Sequence, residues 1–147
     1  MSEEMSSTFT TEQIMQQAQG NLNAVCLGSI AYLKEHHQSP GDWSASLGQR
    51  FAPGWESLKG QGAKEVARTV ALNCVSFGGR LRSLSGDESR AEAVIEGWPP
   101  EERLEFFHIT QSDADLLWEA FKPIGAYLGL HIQCQRQGDT FKITVSR

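Results

Sequence analysis

Cysteine is scarce: Cys26, Cys74 and Cys134 are odd in number and far apart. That pattern argues against a disulfide framework and fits a reducing, cytoplasmic compartment. Each thiol reads first as a small buried hydrophobe. Zinc sites are marked by short Cys or His spacings, and the chain has none, so no metal site is expected. No apolar run approaches the roughly 18 residues that a membrane-spanning helix needs, so no membrane insertion is expected. The opening MSEEMSSTFTTEQ lacks the apolar core of a signal or transit peptide, and residues 1–10 read as a disordered tail. Excess positive charge is missing too. The net charge is -5 and the basic residues are scattered, which leaves no field to collect phosphate backbones and argues against a nucleic-acid partner.

What is present suits one globular domain over residues 11–147, with 39% hydrophobic residues and only 5 prolines. Thr10 or Thr11 can cap an amphipathic helix running to about His37, with Ile14, Ala18, Leu22, Val25, Ser29 and Leu33 marking one face. Gly28, beside Ala24 and Ala31, reads as a close helix crossing. His36 and His37 fall in the last turn, where the helix dipole favours cations. Asp42 can cap a short helix carrying Trp43, Leu47 and Phe51, which Pro53-Gly54 ends. The stretch Ala63 to Leu84 is apolar on two faces at helical spacing and predicts a central helix covered nearly all round.

The period then changes. Ala91, Ala93 and Ile95 alternate with Glu92 and Glu96, which reads as a strand over 90–98. Pro100-Glu101-Glu102 opens a helix carrying Leu104, Phe106, Phe107 and Ile109. Thr110 or Ser112 caps another, with Leu117, Phe121, Ile124 and Leu128 as its buried stripe and Pro123 kinking or dividing it. Leu130, Ile132 and Cys134, then Phe141, Ile143 and Val145, alternate with polar residues around Gly138-Asp139 and predict a hairpin. The fold class is therefore α+β: an N-terminal helical layer packed on a small antiparallel sheet that ends in a C-terminal β-hairpin. The C-terminal strand as a sheet edge, with the small-residue face around Gly28, points to a homodimer.

Functional signals are sparse. Asn73 and Ser76 interrupt the central helix, and a pocket needs mostly apolar walls with a few orienting polar groups. Those two, with Cys74, Phe77, Trp98 and Phe107, are the candidate binding residues for a small hydrophobic ligand. The bland alternative is a serine bonded to the carbonyl a turn earlier and an asparagine tying helices together. Cys74 with His108 is the one nucleophile pair that can be constructed, and His108 between aromatic residues could ligate haem. Glu101, Glu102 and Glu105 are accounted for by the dipole of a helix start.

From Gly78 to Val145 the element order is a long helix, a strand ending in Trp98-Pro99, helices, then a Leu-Gly-Leu step into a terminal hairpin. It resembles small bacterial ligand-sensing domains of the vinyl-reductase and haem-nitric-oxide-binding kind. The resemblance covers about half the chain. It implies a ligand pocket between helices and sheet and a tendency to dimerise. Vinyl-reductase-type domains commonly carry cysteines in the final hairpin; here only Cys134, followed by Gly138, echoes that, and Lys142 stands where another thiol would be expected. The first reading is thus a non-catalytic small-molecule binding or sensing domain, with its cofactor unspecified. The alternative is a protein-interaction or adaptor domain anchored by Trp43, Trp55, Trp98 and Trp118. The third is an enzyme using the Cys74–His108 pair.

Overall fold

The computed structural model describes residues 8–147, so the expected tail over 1–10 lies mostly outside the described residues. Helix α1 spans Thr11–Glu35 and starts as the sequence predicts. The Thr10 hydroxyl accepts from the Gln13 N–H at 3.0 Å while the Gln13 side chain accepts from the Thr10 N–H at 2.9 Å, which satisfies two of the donors a helix start leaves open. Helix α2 covers Pro40–Phe51. Its cap is Ser39 rather than Asp42: the Ser39 hydroxyl accepts from the Asp42 N–H at 3.1 Å, with Pro40 pre-set in the first turn. The chain then tightens into a 3₁₀ segment, Ala52–Leu58.

Helix α3, Ala63–Ser76, is shorter than the expected central helix and is not covered all round. Ala63, Val66, Ala67, Val70, Ala71 and Cys74 are buried, while Lys64, Arg68, Leu72 and Ser76 form an exposed stripe. The helix ends because Gly78 takes φ +111, a conformation open to glycine and strained for other residues. Gly79 then presses so closely on Ile95 that a Cβ there would lie 2.7 Å from its Cγ2. The residues expected to finish the helix form strand β1, Arg80–Gly86, instead.

Strand β2 is Arg90–Glu96, β3 is His131–Gln137 and β4 is Thr140–Ser146. The sheet is antiparallel in the order β1-β2-β4-β3. The predicted hairpin forms, with Gly138 at φ +64 in its turn. Its last strand, however, is not an edge: β4 pairs with β2 on one side and β3 on the other, so that ground for self-association fails. Ala91, Ala93, Ile95, Phe141, Ile143, Val145 and Ile132 turn to the core; α3 packs on β2 and β4, and the helix over Phe121–Tyr127 covers β3 at Ile132. The other face is polar and carries cross-strand pairs Lys142–Glu92 at 3.4 Å and Arg80–Glu96 at 3.6 Å.

Between β2 and β3 the chain makes α4, Glu101–Phe107, then α5, Gln111–Asp115, a 3₁₀ turn over Leu116–Ala120, and α6, Phe121–Tyr127. Thr110 caps α5 with a capping box through Asp113. The expected single helix is divided by that 3₁₀ turn, and α6 starts two residues before Pro123. Proline has no N–H to give to the preceding turn, so a new helix begins with Pro123 in its first turn, where that donor is not needed.

The close helix crossing also lies elsewhere than expected. Gly28 is half-buried and meets Phe107 of its own chain, 3.5 Å from where a Cβ would stand. At Gly48 a Cβ would be 2.0 Å from the Ala120 carbonyl oxygen, so α2 and the 3₁₀ turn touch backbone to backbone. One helical turn earlier, the buried Ser44 hydroxyl donates to the Leu117 carbonyl.

Candidate functional site

Of the six residues predicted to form a pocket, Asn73 and Trp98 border separate hollows. Ser76 is exposed, and its hydroxyl donates to the Asn73 carbonyl at 2.6 Å; Asn73 in turn donates to the Thr69 carbonyl at 2.9 Å. Both therefore make the local bonds that mid-helix polar residues commonly make. Asn73 borders a surface hollow of about 330 Å³ with Gly54, Trp55, Ser57, Leu58 and Thr69. Phe77 and Trp98 do meet, edge to face at 5.9 Å, but as members of a packed cluster with Trp118 and Phe121. Phe107 lies apart, against α1 at Gly28.

The thiols are unsuited to nucleophilic work. Burial, with a smaller contribution from Cys134, pushes the Cys74 thiol well up, and burial pushes Cys134 up to about 12. A nucleophile needs the opposite shift. His108 is an exposed left-handed cap at the end of α4, with φ 55, and no hydrogen bond joins it to Cys74. That arrangement removes the basis for the Cys74–His108 pair and the apolar setting that haem ligation by His108 would need.

The sequence reading did not single out Asn23, where the structure places a buried side-chain amide. Asn23 of α1 is fully buried, and its amide nitrogen donates to the Gln19 and Phe77 carbonyls, each at 2.8 Å. Its amide oxygen accepts from the Trp98 indole N–H at 2.8 Å. One side chain thus ties α1 to the end of α3 and to the exit of β2. A second tie is Arg136, whose guanidinium holds both oxygens of Asp115 at 3.0 and 2.7 Å and the Trp98 carbonyl at 3.2 Å, above the Phe141 ring. Hollows of about 290 and 210 Å³ flank it.

The Asn23 clamp fixes how α1 is rotated. Asn23, Leu27 and Ile30 face inward. A helix turns about 100° per residue, so Ile14, Ala18, Leu22, Val25, Ser29 and Tyr32 share the opposite side. The apolar face read from the sequence is therefore largely the outer one, with Leu33 half-buried at its margin: Ile14 is 58% exposed and Val25 67%, and Tyr32 at 58%, Met15 and Leu22 lie beside them. From Gln13 to Leu33 there is no Asp, Glu, Lys or Arg. That uncharged run was the readable signal, since an ordinary solvated helix face carries charges. The face has relief. A hollow of about 400 Å³ lies between α1 and α2 over the C-terminal half, lined by Val25, Gly28, Ser29, Tyr32, Leu33 and Trp43. Another of about 780 Å³ lies at the N-terminal half, bordered among the described residues by Phe9 and α1 alone.

No protein-family profile matches the chain, and no curated protein matches it either. Among solved structures, a trafficking protein particle complex subunit 3 from Naegleria fowleri, covalently bound to palmitic acid, aligns with 90% of this chain and 92% of its own. The two share 12% identity at a TM-score of 0.43. A likeness at that level assigns neither family nor function, and none of the following rests on it.

Proposed function

We propose that this chain is a non-catalytic protein-interaction module, cytoplasmic in setting, whose working surface is the outward face of α1. The observation that supports this is the stripe Ile14, Met15, Leu22, Val25 and Tyr32, exposed on a helix with no charge between Glu12 and Lys34. Isolated exposed apolar side chains are normal, whereas a contiguous group marks an interaction site. Interface centres are depleted in charge and enriched in aromatic residues and methionine. The small-ligand reading has less support, because Phe77 and Trp98 are spent on core packing and Ser76 on a local bond.

The test is sedimentation of the fluorescently labelled chain, alone and in extract of its source cells. The proposal expects a species heavier than the 16.3 kDa chain in at least one setting. Ile14→Ser with Val25→Ser should return it to monomer, and Leu72→Ser with Phe106→Ser, also exposed, should not. A monomer in both settings overturns the proposal.

A further inference from the structure

Resting on that reading, we infer that the first two turns of α1, residues 11–18, are a docking arm that inserts into an apolar groove of a different protein, rimmed by Lys and Arg. Every residue from 11 to 18 is exposed, on all sides of the helix. Among the described residues, the first hydrogen bond from α1 to a later element comes from Gln19, whose side-chain amide donates to the Ser76 carbonyl at 3.1 Å, and the Asn23 clamp follows one turn on. A helix in a protein owes most of its stability to the packing of one face, and these two turns receive little of it from the described residues. The Thr10–Gln13 capping box fixes where the arm starts and leaves it uncovered.

The arm is shaped to be enclosed. Ile14, Met15, Ala18, Leu22 and Val25 recur at the three- and four-residue steps of a helix that lies in a groove. On the side turned away from Met15 and Leu22, the arm has a concavity. Phe9, 63% exposed, borders with Gln13, Gln17 and Gly20 the hollow of about 780 Å³, where a wall of the groove can enter. A Cβ on Gly20 would meet nothing within 4 Å. Glycine inside a helix is destabilising against alanine, and packing within the chain does not require it here; close approach of a partner's backbone does. A flat partner would reach one of these two sides only.

Charge sets the chemistry of the groove. The only charged residues before Lys34 are Glu3, Glu4 and Glu12, and Lys34 is itself held by Asp113 at 2.6 Å. The arm thus offers an uncharged apolar body whose charge, all of it acidic, is gathered toward the chain start. Its complement is a groove with an apolar floor and Lys or Arg where that end enters. A second copy fits less well, since it brings the same acidic end and a net charge of -5. An anionic lipid surface also fits less well, because interfacial membrane helices carry Lys and Arg along the polar face.

Photo-cross-linking of the full chain in extract of its source cells tests the inference. Benzoylphenylalanine is placed at Ile14 in one variant and at Gln16 in another, two positions about 200° apart around the helix, with Tyr32 as a third position and Leu72 as the control. The inference expects the Ile14 and Gln16 variants to give adducts with one and the same protein, mapped by mass spectrometry to apolar segments bordered by Lys or Arg, and the Leu72 variant to give none. That protein, once purified, should bind the full chain in titration calorimetry, more weakly as salt is raised. Ile14→Ser with Met15→Ser should weaken the binding at least tenfold while the circular dichroism spectrum is retained. Gly20→Ala should weaken it as well although it stabilises the free chain, a split that a purely structural glycine would not show. Adducts from only one of the two arm positions, from neither, or with a second copy of this chain overturn the inference, as does binding that salt or the double variant leaves unchanged. If the Tyr32 variant alone cross-links, the interaction reading survives with its contact at the other end of α1. If that variant also stays free and the chain sediments as a monomer in extract, both fall. Cosedimentation with phosphatidylserine vesicles that is lost in the Ile14→Ser, Met15→Ser variant would assign the arm to lipid and overturn both.

Discussion

Helices α1 and α3 carry similar apolar content and put it to different uses. In α3 the apolar side faces the sheet, and Lys64 and Arg68 face water, so the helix is held by its burial. In α1 the inward face is narrow, with Asn23, Leu27 and Ile30, and the broader apolar stripe is left outside. A helix that turns apolar side chains to solvent gives up stabilisation of roughly 25 cal/mol for each Å² left uncovered. When a local rule of this kind is broken, a functional surface is the usual reason.

The sharpest way to break the comparison is to disturb the crossings. Gly48→Ala drives a Cβ into the Ala120 carbonyl and should cost about 3 kcal/mol or more, through the overpacking that a rigid neighbour enforces. Gly20→Ala in α1 meets nothing within 4 Å and should stabilise by up to about 1 kcal/mol. Urea denaturation of the two variants checks both signs.

The two faces of α1 should separate next. Ile30 is fully buried and Ile14 is 58% exposed. Ile30→Ala should cost about 3 kcal/mol by leaving a cavity, and Ile14→Ala should lie within about 0.5 kcal/mol when both are measured below the association range. Asn23→Leu, which strands the Trp98 indole N–H and the Phe77 carbonyl, should cost about 3 kcal/mol. It should also blue-shift or broaden tryptophan emission as Trp98 loses its partner.

The smallest effect is one of pH. Burial alone would raise the Asp113 carboxyl, but hydrogen bonds from Lys34 and Thr110 outweigh it and hold the group below the usual carboxylate range. A depressed native value means that the stabilisation is present above the unfolded value, near pH 4, and is lost as pH falls through the native one. Asp113→Asn should remove that part of the acid dependence of the melting temperature, at most about 1 kcal/mol, because the Lys34 partner is half exposed.

Much of the fold could be read from residues whose signals are local. Thr10 and Thr110 mark helix starts by side-chain reach alone, and the alternation around Gly138-Asp139 sets the hairpin without help from the rest of the chain. The failures came where a distant contact decides. Periodicity carries Ala63–Leu84 on as a helix, because helix and strand patterns overlap at Leu81 and Leu84, and only the turn at Gly78 and the contact of Gly79 with Ile95 divide them. The burial of the two asparagines was hidden in the sequence for a related reason. Asn23 and Asn73 look alike in sequence, each amid apolar residues on a helix, and which one is buried depends on whether Trp98 and Phe77 reach it.

Side-chain footprinting by carbene labelling tests the central claim most directly, because it reads Met15, Leu22, Val25 and Tyr32 themselves. The account predicts that, relative to the dilute purified protein, their labelling falls several-fold at tens of micromolar or in source-cell extract, while Leu72 and Phe106 label equally throughout. Equal labelling of all six positions at every concentration, and in source-cell extract, would contradict it.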